Sequence, residues 1–164
     1  MAVSQIVKEA WRTNDGMNTV LLEHLTPEML KLKAHDNNWS VAGYLAHLAA
    51  SKKWWGTHLN KEEKEEVDLL PDLYFKTGET LTAETNLERI KDVFEQTSKT
   101  ILETAERAQN KGTLPYASID LYLIHMLTHD AHHRGQILLT LRTAGFAPPD
   151  EDEFWGGWWP EQTL

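Results

Sequence analysis

The segment 121–142, LYLIHMLTHDAHHRGQILLTLR, decides the fold class, because its apolar residues recur at helical spacing over about six turns. It contains four of the eight histidines of the chain. At an advance of about 100° per residue, His125, His129 and His133 lie within about 80° of one another on the inward face of this helix. We therefore expect a long helix over 118–144 that turns histidines toward the core.

Three other segments show the same spacing of apolar residues. They are expected to form helices over 4–25, over 41–59, and from Thr80 or Thr82 to about 108. Asn38 or Ser40 can cap the second helix, and Asn110-Lys111-Gly112 can end the third. No segment shows a strand pattern, so the sequence predicts an all-α four-helix bundle.

The connection between the second and third predicted helices is unusually long. Its sequence, KEEKEEVDLLPDLYFKTGET at 61–80, carries charge, proline and glycine, and is long enough to run the length of a bundle. We therefore expect a crossover between parallel neighbours rather than a hairpin of helices. The tail 153–160 holds three of the seven tryptophans and should pack on the bundle or on a second subunit.

The composition narrows the class of protein. A length of 164 residues fits one domain, 1–164, with its own core. The net charge of -9 and the scattered basic residues argue against nucleic-acid binding. There is no signal-peptide pattern, no apolar run of membrane-spanning length and no cysteine, so we expect a cytoplasmic protein without a membrane partner.

A third histidine on another helix makes a metal site a serious hypothesis. His129 and His133 are four residues apart, a spacing at which two imidazoles on a helix can ligate one ion. His47 lies on the mainly apolar face of the second predicted helix, where an unpaired imidazole is costly. The alternative is a set of histidines that only make hydrogen bonds in the core, and the residues alone leave both readings open.

Two motifs resemble signatures of the DinB/YfiT-like family. The pattern W-S-x-x-x-x-L-A-H-L spans 39–48, and H-x-x-x-H-R-G-Q spans 129–136. Members of that family are four-helix bundles, commonly dimeric, that bind nickel or zinc through one histidine of the second helix and two of the fourth. The resemblance therefore implies a homodimer and a divalent transition metal held by His47, His129 and His133.

The other histidines fall outside these motifs. His125 is expected to be a spare ligand or a hydrogen-bond donor to the site, and His132 to face a neighbouring helix. Ordinary surface or core roles are expected for His24, His35 and His58.

Some residues around the ligands are expected to support the site. Gln136, Tyr122, and Asn14 or Asp15 are candidates to anchor the far ring nitrogens of the ligands. Arg134 points about 140° from His129 and should bridge to another helix or subunit. Gly135 should permit close helix approach.

Three neutral nitrogen ligands leave coordination positions open, as in catalytic metal sites. We therefore expect a metal-dependent enzyme acting on a small molecule, either a hydrolase or a thiol-dependent transferase; the catalytic residues are unknown. The alternative is a non-catalytic, metal-binding stress-response dimer. A di-iron site is excluded because no Glu-x-x-His pair occurs. Metal should leave as the pH falls through about 6 to 5.

Overall fold

The computed structural model describes residues 2–36, 39–59, 64–108 and 114–155, and these are mostly helical. Within these ranges, no helix has both the length and the apolar character needed to cross a membrane. The helices are α1 (Gln5–His24), a 3-10 turn (Met29–Lys31), α2 (Val41–Gly56), α3 (Lys64–Asp68), α4 (Leu87–Ala108), α5 (Ile119–Thr143) and α6 (Glu151–Trp155). The four predicted helices correspond, in chain order, to α1, α2, α4 and α5.

Serine hydroxyls begin three of the long helices. The side chains of Ser4, Ser40 and Ser118 accept hydrogen bonds from backbone N–H groups in the first turns of α1, α2 and α5. Each bond satisfies a donor that the helix itself leaves unpaired. The predicted starts of these helices are confirmed, with Ser40 as the cap of α2; Asn38 lies outside the described residues.

The start of α4 was predicted wrongly. Asn86 Oδ1 accepts a hydrogen bond from the backbone N–H of Arg89 at 3.2 Å, and the helix begins at Leu87. Thr80 and Thr82, the two residues expected to start it, both lie in a strand instead. An asparagine side chain before a helix accepts hydrogen bonds from the N–H groups of the first turn at least as effectively as a threonine side chain does. The predicted stop at 110–112 lies outside the described residues.

A β-hairpin interrupts the segment expected to lack strands. Strands β1 (Tyr74–Thr77) and β2 (Thr80–Ala83) pair antiparallel, with Tyr74 opposite Ala83. Gly78 occupies the turn with a φ of 63°, a conformation that favours glycine. The hydroxyl of Tyr74 donates to the carbonyl of Gly43 at 3.0 Å, so the hairpin is tied to α2.

The core has two apolar clusters with polar residues between them. One cluster includes Leu21, Leu45 and Ile137, and the other includes Trp11 and Ile101. We call the buried polar side chains between them the polar layer, and each is at most 5% exposed. Its members are Asn14, Asn18, Lys52, Ser98, Asp130 and Arg134.

The polar layer draws on every long helix. Helix α1 contacts α4 and α5, and α2 contacts the same two helices. On α5, Asp130 and Arg134 fall between Met126 of one apolar cluster and Ile137 of the other. His129 and His133 directly precede Asp130 and Arg134 in the sequence of α5. The predicted packing of the tail falls largely outside the described residues, although Phe154 is buried.

Candidate metal centre

Three histidines from two helices converge. His47 lies on α2, and His129 and His133 lie one turn apart on α5. The Nε2 atom of His129 is 3.2 Å from Nε2 of His47 and 3.1 Å from Nε2 of His133. All three side chains are partly buried, and one ring nitrogen from each lies within 4.8 Å of the others. The structure thus brings together the three histidines that the sequence singled out.

The spacing of these nitrogens matches the edge of a metal coordination sphere. A metal–nitrogen bond of about 2.0–2.1 Å, with ligand angles between octahedral and tetrahedral, places ligand nitrogens about 3 Å apart. The two short separations, 3.2 and 3.1 Å, agree with this value. The donor type and these two separations therefore fit a divalent transition metal, and one ring nitrogen from each histidine lies within 4.8 Å of the others.

Gln136 fixes the tautomer of one histidine. Its Oε1 lies 2.5 Å from Nδ1 of His133, and because a carbonyl oxygen only accepts, Nδ1 carries the proton and donates. In the neutral ring, Nε2 of His133 then presents a lone pair to the cluster. This is the tautomer that a ligand needs, with the far ring nitrogen anchored.

The imidazoles of the cluster favour the neutral form. Burial, followed by the neighbouring rings of His133 and His47, lowers the pKa of His129 to about 4. Burial and His133 also lower the pKa of His47. Burial lowers the pKa of His133, against the opposing effect of the hydrogen bond to Gln136. At neutral pH the cluster therefore holds three uncharged nitrogen donors.

Aromatic rings flank the histidines. The ring centroid of Trp39 lies 4.6 Å from that of His47, and the centroid of Trp55 lies 4.6 Å from that of His129. Tyr44 lies 5.7 Å from His133. Trp39 is 47% exposed, so the rings form a partly open apolar rim rather than a closed cover.

The sequence comparison decides the family. The profile of the DinB family matches residues 1–163, essentially the whole chain. The chain belongs to the DinB family. Neither a curated protein nor a solved structure matches it significantly. The three-histidine cluster of this DinB-family protein and its membership agree with metal binding.

The remaining histidines of this DinB-family protein lie outside the cluster. His125, the expected spare ligand, has its Nδ1 2.8 Å from the hydroxyl of Tyr116. His132 is exposed instead of facing a neighbouring helix. His24 contacts the carbonyl of Ala147 at 2.9 Å, and His58 is exposed. Ordinary roles for these last two agree with the prediction, as does the exposed position of His35.

Of the predicted anchors, only Gln136 contacts a clustered histidine through a hydrogen bond in the described part of the chain. The hydroxyl of Tyr122 donates to the carbonyl of Trp55 at 3.0 Å. Asn14 Nδ2 donates to Asp130, and Asp15 accepts from Ser98. These groups hold helices together rather than orienting the ligand rings.

The predictions for Arg134 and Gly135, the two residues after His133, compare differently with the structure. Arg134 is buried at a helix interface, as expected, but its Nη1 donates to the neutral oxygens Asn14 Oδ1 and Asn18 Oδ1 at 2.8 Å each, where a salt bridge was predicted. The interpretation of Gly135 is wrong. Gly135 is exposed, and a Cβ there would meet nothing within 4 Å, so no helix among the described residues approaches it closely.

Sequence reasoning missed a buried ion pair beside the cluster. Lys52 Nζ lies 2.7 Å from Asp130 Oδ2, and the two side chains are 4% and 0% exposed. Asn14 and Asn18 donate to the same oxygen at 2.7 and 3.1 Å. The sequence offers two signals for this pair: the polar residues Asn14 and Asp15 interrupt the apolar pattern of the first helix, and Asp130 and Arg134 are four residues apart on α5.

Proposed function

We propose that the protein binds one divalent transition metal, nickel or zinc, through His47, His129 and His133. The observation that carries the proposal is that Nε2 of His129 lies about one ligand spacing from Nε2 of both His47 and His133, with the tautomer of His133 fixed by Gln136. Imidazole nitrogens are borderline in softness and suit these metals, whereas calcium and magnesium prefer oxygen.

We propose further that the site is catalytic and acts on a small molecule, as a hydrolase or a thiol-dependent transferase. When bound, the metal would supply Lewis-acid activation of a carbonyl, a thiol or water. Three protein ligands leave room for substrate, and the partly exposed rim of Trp39 and Trp55 offers apolar surface to hold it. Since the chain has no cysteine, a transferred thiol would belong to a co-substrate.

The wider architecture follows from the same family. We propose that α1, α2, α4 and α5 form one four-helix bundle, joined between α2 and α4 by a crossover, in a single cytoplasmic domain. The contacts of α1 and α2 with both α4 and α5 support it. Exposed apolar residues on α5 support a homodimer. They are Leu121, Ile124 and Leu139.

Metal content tests the first proposal. Protein purified without a histidine tag should hold one metal ion per chain by elemental analysis. His129→Ala should hold none, because it removes the nitrogen that lies nearest both others. His132→Ala is the matched control: it removes an exposed neighbouring imidazole and should retain the metal. Equal metal content in wild type and His129→Ala would refute the site.

Turnover tests the second proposal. Wild-type protein should consume a thiol and an electrophile together, or hydrolyse members of an ester and amide panel, in a metal-dependent reaction. His47→Ala should reduce the rate to background. Metal binding by the wild type combined with equal rates for both proteins would instead favour the non-catalytic metal-binding dimer.

A further inference from the structure

The buried ion pair is adjacent to the ligands on both helices that carry them. Lys52 follows Ser51, whose Oγ lies 3.4 Å from Nε2 of His47. Asp130 follows His129 directly in α5. The bond between Lys52 Nζ and Asp130 Oδ2 therefore joins α2 to α5 at the level where their histidines meet.

Helix α1 is joined to the same point. The amide nitrogens of Asn14 and Asn18 donate to Asp130, while their amide oxygens accept from Arg134. Each asparagine thus spans two successive turns of α5, and Arg134 directly follows His133. Three helices are fixed to one another by directional bonds around the cluster.

Such bonds define helix register more sharply than apolar contacts do. A shift of one residue along a helix moves a side chain by about 1.5 Å and turns it by about 100°. Apolar side chains can often repack after a small shift, whereas a buried charge that loses its partner is strongly unfavourable. The pair of Lys52 and Asp130 therefore favours one register of α2 against α5.

The arrangement does not maximise stability. Asp130 Oδ1 and His129 Nδ1 are two of the three buried side-chain polar atoms in the described part of the chain that lack a hydrogen-bond partner in the protein. Apolar residues of similar volume often stabilise a core as well as a buried ion pair does. Polar groups retained at this cost are best explained by specificity, as in coiled coils whose buried polar residue fixes register.

We infer that the ion pair of Lys52 and Asp130 is a positioning device for the three-histidine cluster, holding α2 and α5 in the register that brings His47 to His129. The inference rests on the proposed function only for its consequence, the metal affinity. The geometric part concerns the protein without metal. Lys52 and Asp130 act through the ligands and are not ligands themselves.

The test removes both charges together. Lys52→Met/Asp130→Asn removes both charges of the pair, and Asp15 remains as a counter-charge for the buried Arg134, so the full chain should fold. Titration with Co²⁺, followed by its visible absorption, should show a dissociation constant raised by about 10- to 100-fold, the range seen when groups that orient ligands are lost. The Co²⁺ spectrum should also change, because the histidine donors no longer meet in the same geometry.

Ser98→Ala is the matched control. It removes the hydrogen bonds from the Trp11 indole and to Asp15, which belong to the α1–α4 side of the polar layer. The unfolding temperature should fall, while the Co²⁺ dissociation constant should stay within about 2-fold of wild type, because the hydrogen bonds that Ser98 makes join α1 to α4 and leave the pair of Lys52 and Asp130 intact. An equal loss of affinity in Ser98→Ala would overturn the inference, since it would show a general effect of stability.

A crystal structure of the metal-free double variant separates this inference from the proposed function. Its His47 and His129 Nε2 atoms should lie clearly farther apart than the 3.2 Å of the native chain. An unchanged separation would overturn the inference. If wild-type protein binds no Co²⁺, the metal proposal fails, and this crystallographic comparison still decides whether the ion pair sets the register.

Discussion

The histidine cluster and the ion pair of Lys52 and Asp130 lie side by side on α5, yet their buried polar atoms are satisfied in different ways. In the ion pair, opposite charges and two asparagine amides meet on one carboxylate oxygen. In the cluster, lone-pair-bearing nitrogens of neutral rings face one another. His129 Nε2 contacts both other rings but has at most one proton to donate.

This difference indicates that the ion pair has a structural role, whereas the histidine cluster is a candidate metal-binding site. The ion pair supplies its own counter-charge: although burial opposes ionisation, the Lys52 ammonium and neighbouring hydrogen bonds hold the pKa of Asp130 below its ordinary value. Burial lowers the pKa of His129 to about 4, and its neighbours are also imidazoles. A cation would complete the cluster, whereas the ion pair already contains both of its charges.

The largest effect is expected from leaving Lys52 without its partner. Asp130→Ala buries an uncompensated ammonium, so the free energy of unfolding should fall by about 3–5 kcal/mol. Urea denaturation of the full chain measures this. Lys52→Met/Asp130→Asn should lose much less, because both charges are removed. Similar losses in the single and the double variant would mean that the charges are not balanced against each other.

Metal should stabilise only through the cluster. At a free concentration about 100 times the dissociation constant, Ni²⁺ or Zn²⁺ should raise the free energy of unfolding by about 2.7 kcal/mol. Thermal denaturation with and without metal checks it. In His129→Ala this increase in the free energy of unfolding should vanish, because only two of the three histidine ligands remain. Stabilisation of His129→Ala to the wild-type extent would locate the metal elsewhere.

Loss of the Gln136 carbonyl should weaken the site without moving a ligand. Gln136→Leu frees Nδ1 of His133, so the ring can adopt the tautomer that carries its proton on Nε2. Metal affinity should fall by about 10- to 100-fold in a calorimetric titration. Thr143→Ala, which removes a hydroxyl bonded to backbone carbonyls near the end of α5, is the control. Equal affinities in Gln136→Leu and wild type would contradict this role.

The smallest effect is the pH dependence of the metal-free protein. Between pH 6.5 and about 4 the unfolded chain binds a proton on His129 that the folded chain does not, so stability falls as the pH is lowered through this window. Because the His129 side chain is only partly buried, the free energy of unfolding should fall by no more than about 1–2 kcal/mol. Urea denaturation at pH 7 and pH 4.5 measures it. His129→Gln should show a shallower loss; an identical one would assign the effect to other groups.

The lowered pKa values also refine the expected release of metal. Protons compete less effectively for nitrogens of low pKa, so release should extend below the range of pH 6 to 5 that ordinary imidazoles predict. Metal content after dialysis across this range measures it. Complete release by pH 6 would contradict the neutral, buried cluster.

Much of the helical architecture could be read from the sequence because it depends on nearby residues. Apolar spacing and the serine caps lie within a few residues of the structure they specify, and α1 and α5 were predicted to within one residue at the start and at the end. The hairpin at 74–83 was missed although Gly78 marks its turn, because four-residue strands carry little periodicity.

The candidate site was predictable for a similar reason. The spacing of His129 and His133 places them on one face of any helix, and the family motifs add His47. The exposure of Gly135 and His132 was not predictable, because it depends on which face of α5 the other helices cover.

By itself, the sequence determined the long helices, their serine caps and the histidines available as ligands, since these follow from interactions within about one turn of the chain. Only the tertiary structure decided that Lys52 meets Asp130, that two asparagines of α1 join them, and that Nε2 of His129 lies about 3 Å from Nε2 of both His47 and His133. Those pairings depend on the register and rotation of separate helices, which are set by the packing of the whole core and by no local pattern.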